Sequence, residues 1–518
     1  MNGWAAHLVV LPVVLPLLAG ALLLAIDESR HATKAAISLA SALGLLAAAI
    51  ALVARADTPA AHVYALGGWV APVGIVLVAD RLAVAMVLLT SMLGVAALLF
   101  SLARWHRAGP HFHALVQFLL AGLCGAFLTG DLFNLFVFFE LLLAASYGLA
   151  LHGGGALRVR AGLHYIVVNL AASLLFLVGV SLLYGMAGTL NMADLAVRLT
   201  QLPEADRPLL QAGAAVLGIA FLLKAGMWPL GFWLPATYSA SSAPAGALFC
   251  VLSKLGFYAV LRVSYVVFGG LPVADLIALG GMATLVFGMV GMLGSQDLGR
   301  IASFSLVSST GTLLSAAGVG GTAALGPALL YLVASTLATA ALFLLVELVE
   351  RSRAPGANLL AVTADAFGVD SEDETEAEES AGVLIPASVA VLGIAFSCTA
   401  LVLAGLPPLP GFVAKFSLLS VLLRPEAAGT GAWVLLALVL LSGLASVVAF
   451  ARAGVRAFWA EAGKAPRVRL IEIVPVAGLI AACLALTVLA GPALAYLQAA
   501  ADALHPADAY IREVLRQP

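Results

Sequence analysis

This sequence has little charge. Of its 518 residues, 25 are lysine or arginine and 27 aspartate or glutamate, a charged share of 10%, against roughly 25% in an ordinary soluble domain. The formal net charge is −2, which supplies no basic surface for a nucleic-acid backbone. Cysteine is sparser still, at four residues. Cys124, Cys250, Cys398 and Cys483 each stand alone in an apolar stretch, so a disulfide scaffold is excluded and zinc, iron–sulfur and thiol-redox readings lack ligands. The nine histidines avoid the centres of apolar runs and form no i, i+4 pair, so a haem or metal site within those runs is not expected. His111 and His113 read as interfacial residues rather than ligands.

What is present instead is apolar surface: 63% of residues are hydrophobic. The composition is that of an all-α, integral, polytopic membrane protein. A hydrocarbon span takes about 20 apolar residues as helix, and by that rule the chain divides into fourteen candidate spans. The first, 4–26, reads as a span rather than a signal peptide, because no basic segment precedes it. With the N-terminus outside, 14 lysines and arginines fall in inside loops, 8 lie outside and 3 lie within spans. The bias predicts both termini outside. The segment 365–380 carries eight carboxylates and reads as a disordered, solvated cytoplasmic loop.

Two spans share an unusual string. Ala225-Gly226-Met227-Trp228-Pro229-Leu230 and Ala404-Gly405-Leu406-Pro407-Pro408-Leu409 both follow AGxxPL, and each is followed by Gly-Phe. Proline within a helix removes a backbone bond and clashes with the preceding turn, so each span is expected to be two half-helices. Unwound backbone at membrane depth survives only inside protein or beside water. The two breaks are five spans apart, hence oppositely directed, which is the pattern of an inverted repeat around a transporter's ion path. The expected organisation is a three-helix segment (1–110), a first five-helix repeat of spans four to eight (111–270), a second of spans nine to thirteen (271–458), and a C-terminal helix and tail (459–518).

Four ionisable residues fall clearly within spans: Glu140, Lys224, Lys254 and Lys415. Each costs about 2.5–3.5 kcal/mol at a helix centre unless paired or hydrated. Glu140, in Phe138-Phe139-Glu140-Leu141-Leu142, has no polar sequence neighbour, and Lys224 at the first break is its expected partner. Lys254 lies on a stripe at i±4 spacing, Cys250, Lys254, Tyr258, Arg262. Lys415 follows the second break, where freed carbonyls and water can solvate it. Burial and neighbouring carboxylates set a lysine's proton affinity in opposite directions, so this set reads as a proton relay, with a static ion-pair network as the alternative. Tyr258, Ser305, Ser309, Thr312, Ser335 and Thr339 are candidates for a hydroxyl and water wire between the charges. Serine and threonine also bond their own i−4 carbonyls, and wire and self-bonding stand as equal alternatives here.

These residues resemble a known family. Gly130-Asp131-Leu132-Phe133-Asn134-Leu135-Phe136-Val137-Phe138-Phe139-Glu140 resembles the fifth-helix motif of the D-type subunits of Mrp-type multisubunit Na+/H+ antiporters, which share their fold with the antiporter-like proton-pumping subunits of respiratory complex I. Lys224 through Pro244, Leu252-Ser253-Lys254-Leu255-Gly256, Tyr331–Leu344 and Leu406–Lys415 continue the likeness. It extends from the third to the thirteenth span. The resemblance implies a fourteen-helix subunit with two inverted repeats, Glu140 and Lys224 as a gating ion pair, Lys254 as central lysine and Lys415 as the charge on the second broken helix. It implies a bacterial plasma-membrane location, partner subunits of types A, B, C, E, F and G, transport of H+ and Na+, and no cofactor, metal or enzymatic activity of the chain itself. The alternative is a proton-pumping subunit of a complex I-type quinone reductase or membrane-bound hydrogenase. The chain departs from the family at Gly231, Ser309, Ala334 and Thr339, where relatives often carry histidine, glutamine or lysine, so a central wire here leans on hydroxyls and water.

Overall fold

The computed structural model of the chain describes residues 7–57, 61–351, 387–425, 429–458 and 468–515. The acidic segment 365–380 lies outside the described residues. Helices dominate because the apolar runs are long and, without water, a backbone must satisfy its own polar groups. In chain order they begin with α1 (Leu11–Ala25) and α2 (His31–Arg55), then an antiparallel hairpin of β1 (His62–Ala65) and β2 (Val76–Ala79). Next come α3 (Arg81–Ser101), α4 (Phe112–Leu128), α5 (Leu132–Leu151), α6 (Ala156–Ala187), the short α7 (Met192–Leu199) and α8 (Arg207–Ala225). After the first break follow α9 (Trp233–Ala240), α10 (Ala243–Phe268), α11 (Ala274–Gly294) and α12 (Leu298–Glu350). The remainder is α13 (Ala387–Ala404), α14 (Pro410–Leu422), α15 (Thr430–Phe458), α16 (Leu470–Val488), α17 (Ala490–Asp502) and α18 (Asp508–Leu515). Among the described residues, eleven helices are long and apolar enough to cross a membrane.

Helix starts are legible in the residues. Asp80 accepts from Ala83 N at 2.8 Å, Asp131 from Asn134 N at 2.8 Å, and Asn191 from Ala193 N at 3.1 Å, each side chain satisfying a donor that the first helical turn leaves free. α12 is assigned as 53 residues. Straight, it would run about 80 Å at 1.5 Å per residue, far beyond a hydrocarbon core of about 30 Å. It turns back at Gly321, whose φ of 52° and ψ of −147° suit a residue without Cβ. Ser309 Oγ consequently lies 2.9 Å from Ser335 Oγ, so the limbs 298–320 and 322–350 run side by side.

Both expected breaks are present, between α8 and α9 and between α13 and α14, and Gly226 and Gly405 at their starts share a φ of 79°. The one helix expected within 459–518 is instead divided at Leu489 into α16 and α17. The β hairpin, α7 and α18 gather at one end of the bundle: Leu77 bridges to Thr129, and Asp131 to Asn191. The opposite end carries an ion-pair cluster in which Arg351 binds Glu472 at 2.7 Å and Glu347 at 2.6 Å. Between the two ends, α10 and the limbs of α12 are buried along nearly their whole length, whereas α6, α8, α11, α15 and α16 each leave an apolar side uncovered. The innermost helices are therefore those that carry Lys254, Ser309 and Ser335.

Candidate functional site

The site is built around the two breaks and the buried helix between them. At the first break α8 ends at Ala225, and the freed Trp228 N donates to Thr284 Oγ1 of α11 at 2.9 Å. Lys224, in the last turn of α8, is 4% exposed. Its Nζ reaches Ser173 Oγ of α6 at 3.3 Å and stands 4.8 Å from the centroid of the Phe139 ring. The expected ion pair with Glu140 is not formed in this arrangement. Glu140 Oε1 is buried without a hydrogen-bond partner, although the two charges interact electrostatically. The reason is geometric: the lysine stem lies over the ring one residue before the carboxylate, where the π face and a hydroxyl take its ammonium.

α10 packs against the end of α8. A Cβ on Gly256 would stand 2.4 Å from Ala225 N, so only glycine lets α10 touch the backbone end of α8. Two residues earlier, Lys254 is fully buried. Its Nζ donates to Ser309 Oγ at 2.8 Å and Thr310 Oγ1 at 3.0 Å. Ser309 continues to Ser335 at 2.9 Å, and the Tyr331 hydroxyl lies beside Ser309 and Thr312. Other candidate hydroxyls turn back on their own helices: Thr312 donates to Ser308 O at 3.0 Å and Thr339 to Ser335 O at 2.7 Å. Ser305 is buried near this line.

At the second break the freed carbonyls of α13 find a cation. Lys415 Nζ, on α14, donates to Ala404 O at 3.0 Å and Leu403 O at 3.3 Å, the terminal acceptors of a helix. A Cβ on Gly405 would meet Lys415 Cδ at 2.7 Å and Nζ at 3.0 Å. The glycine thus serves both the left-handed turn and the room for the lysine. Lys415 Nζ also stands 5.8 Å from the Tyr331 ring centroid. Lys254, Ser309, Tyr331 and Lys415 therefore follow one another through the interior, the last step being the face of the Tyr331 ring.

Sequence reasoning missed two parts of this arrangement. Tyr331 sits between the two lysines, and its only sequence signal is a tyrosine inside an otherwise apolar limb. Arg262, two turns beyond Lys254, is as buried as the lysines, at 2% exposed, and binds Asp80 at 2.5 and 2.7 Å. Its place on the Cys250–Lys254–Tyr258 stripe was the available signal. Tyr258 joins this pair rather than Lys254: its hydroxyl donates to Phe127 O at 2.5 Å and accepts from Arg262 Nε at 3.1 Å.

At the end opposite the hairpin, a cavity of about 330 Å³ opens between Arg104, Arg158, Asp297, Glu347 and Tyr238. The Tyr238 hydroxyl and the nearby Ser242 Oγ are buried without partners, which suits occasional water. Of the histidines at this end, His111 pairs with Glu28 at 2.8 Å, and His113 Nε2 lies 3.4 Å from His106 Nδ1. Burial, with the charges of Arg107 and His31, holds the His106 imidazole below the ordinary value of 6.5. Among the described residues no three histidine, cysteine or acidic side chains gather as a metal site.

Comparison with known proteins gives a consistent answer. The profile of the NADH:quinone oxidoreductase/Mrp antiporter transmembrane family matches residues 129–445. The chain is 52% identical to the D-type subunit of a probable K+/H+ antiporter of Rhizobium meliloti (strain 1021), covering 100% of this chain and 99% of that one. It is 34% identical to the D-type subunit of a Na+/H+ antiporter of Alkalihalophilus pseudofirmus, over 99% and 100% of the two chains. Its structure superposes on a chain of the Mrp complex from Dietzia sp. DQ12-45-1b with a TM-score of 0.83 at 27% identity, covering 99% of this chain and 100% of that one.

Proposed function

The chain belongs to the NADH:quinone oxidoreductase/Mrp antiporter transmembrane family, and on that premise we propose that it is the proton-translocating, D-type component of a multisubunit monovalent cation/proton antiporter. The observation that carries the reading is the buried line from Lys254 through Ser309 and Tyr331 to Lys415. It links the central helix to the second broken helix without leaving the protein interior. Lys224 and Glu140 stand at its other end, beside the first break.

In this reading protons driven inward by the membrane potential reach the first repeat (111–270) and are handed along Glu140, Lys224, Lys254 and Lys415 into the second (271–458), coupled to cation export, and the cavity near Tyr238 lies at the inner end. Each transfer is a local event. A lysine that loses its proton no longer holds its hydroxyl or carbonyl acceptors as an ammonium does, and a neighbouring charge restores it. Lys224 leaves Ser173 and the Phe139 ring when Glu140 is charged and unpaired, and returns when Glu140 takes a proton. Ser309 and Ser335 accept and donate in turn, and Ser305, Thr312 and Thr339 hold water at the margins of the line. The membrane potential supplies about 2.3 kcal/mol per charge per 100 mV, comparable to one charge-assisted hydrogen bond at about 1.5–3 kcal/mol.

The chain acts as a transporter component rather than as an enzyme. It sits in a bacterial plasma membrane with both termini and the hairpin end outside, assembled with subunits of types A, B, C, E, F and G. The sequence pointed to Na+ as the exchanged cation, and relatives at 34–36% identity are named for Na+/H+ exchange. The 52% identity to a protein named for K+/H+ exchange favours K+ here. A second reading, a proton-pumping subunit of a quinone reductase, rests on the quinone oxidoreductases within the same family. The complete operon in a host lacking its own antiporters decides: everted vesicles should lose a respiratory pH gradient on addition of K+ or Na+. No response to either cation moves the redox-pump reading to the front.

A further inference from the structure

The lysine stripe of α10 does not open at the hairpin end. Eight residues beyond Lys254, about 12 Å along the helix, the side chain of Arg262 is 3% exposed. Its two terminal nitrogens bind both oxygens of Asp80 at 2.5 and 2.7 Å. Tyr510 of α18, itself 5% exposed, stands against the guanidinium, with Cζ 5.5 Å from the ring centroid. Gly130 closes on the same tyrosine: a Cβ there would lie 3.2 Å from the Tyr510 hydroxyl.

The chemistry of these groups opposes conduction. A guanidinium does not release a proton in a protein. The Tyr258 hydroxyl donates to the Phe127 carbonyl, an acceptor with no proton to pass on. Lys254 directs its own bonds away from them, to Ser309 and Thr310. Stability gives little reason for the arrangement, since a buried ion pair often adds less than apolar packing of the same volume.

The geometry points to a plug: Arg262, held by Asp80 and roofed by Tyr510, closes the hairpin end of the Lys254 stripe. A proton at Lys254 then has no direct exit at that end and must cross sideways through Ser309 toward Tyr331 and Lys415. Arg262 is thus a positioning residue that makes transfer into the second half of the chain obligatory, and it prevents proton slip without cation exchange. This inference rests on Lys254 being part of the proton path.

The test uses the complete complex in everted vesicles and reads passive proton leak, as decay of an imposed pH gradient with neither Na+ nor K+ present, per assembled complex. Arg262→Ala and the double variant Asp80→Ala/Arg262→Ala, which leaves no orphaned carboxylate, should leak several-fold faster than wild type, and Arg262→Lys, which keeps the charge but can release a proton, should leak as well. Adding Lys254→Ala to the double variant should return the leak to baseline. A leak that survives that addition, or an assembled double variant as tight as wild type, overturns the plug. Should the Arg262 variants fail to assemble, Tyr510→Ala decides, because it removes the roof and leaves the ion pair: a leak supports the plug and a tight vesicle overturns it. Lys254→Ala alone separates the two claims. If it keeps full antiport, the relay reading fails whatever the leak assays give.

Discussion

Replacing Ser309 with alanine removes one oxygen atom from the centre of the protein. That oxygen accepts from Lys254 Nζ at 2.8 Å and bonds Ser335 Oγ at 2.9 Å. The variant leaves Lys254 with Thr310 alone, at 3.0 Å, and interrupts the line toward Tyr331. A hydrogen bond from a charged donor contributes about 1.5–3 kcal/mol. If the bond is needed at the barrier of proton transfer, turnover should fall roughly 10- to 150-fold, at 1.36 kcal/mol per factor of ten. Ser315→Ala is the matched control, because Ser315 Oγ is buried in the same limb and donates only to Gly311 O at 2.7 Å, inside its own helix. Both variants should assemble normally, since each loses one hydroxyl and no volume elsewhere. The assay is cation-dependent proton uptake by everted vesicles, normalised to assembled complex. Equal turnover in Ser309→Ala and Ser315→Ala would refute the reasoning, because the two differ only in what the hydroxyl touches.

Three further outcomes are expected. Gly405→Ala should abolish antiport, because alanine in the left-handed region costs about 1–2 kcal/mol and its Cβ would displace Lys415, 2.7 Å away at Cδ; Gly393→Ala, with nothing within 4 Å, should leave turnover at the wild-type level. Arg351→Ala strips the side-chain partner from Glu472, which is 1% exposed but keeps the Arg469 N–H, and should lower stability by about 1–2 kcal/mol. Thermal unfolding of the purified complex reads it, and Arg351→Ala/Glu472→Leu should recover most of the loss. Acid should weaken the end that carries His106: with its folded value held below 6.5, the neutral ring's contribution is present above that value and lost as pH falls through the folded one. The drop in melting temperature between pH 7.5 and pH 5.5, both chosen on either side of about 6.5, should be smaller in His106→Gln.

Several elements could be read from the residues because their causes are local. The breaks followed from proline and glycine within apolar runs, and Asp80, Asp131 and Asn191 sit where helices need a cap. The buried lysines stood out because charge is rare in this chain. The partners of those lysines were not legible. Lys224 rests on Phe139 and Ser173 rather than on Glu140, and Lys254 meets hydroxyls 55 and 56 residues away, contacts set by helix packing that no local pattern encodes. Tyr258 fits a wire by spacing alone, but the Phe127 carbonyl and Arg262 claim its hydroxyl. Asp80 reads as an ordinary loop carboxylate until α3 and α10 stand side by side. The turn at Gly321 falls in the gap that the apolar runs leave between residues 318 and 323 and was legible, whereas the division at Leu489 was missed although Pro492 follows it.

The central claim is that Glu140 and Lys254 lie on the path of transported protons. Its most direct test is cation-driven collapse of a respiratory pH gradient in everted vesicles carrying the complete complex. Glu140→Ala and Lys254→Ala would be compared with wild type at equal assembly. The account predicts that wild type dissipates the gradient on addition of K+ or Na+ while both assembled variants leave it intact. Full activity in either variant would contradict it and return these charges to a purely structural role.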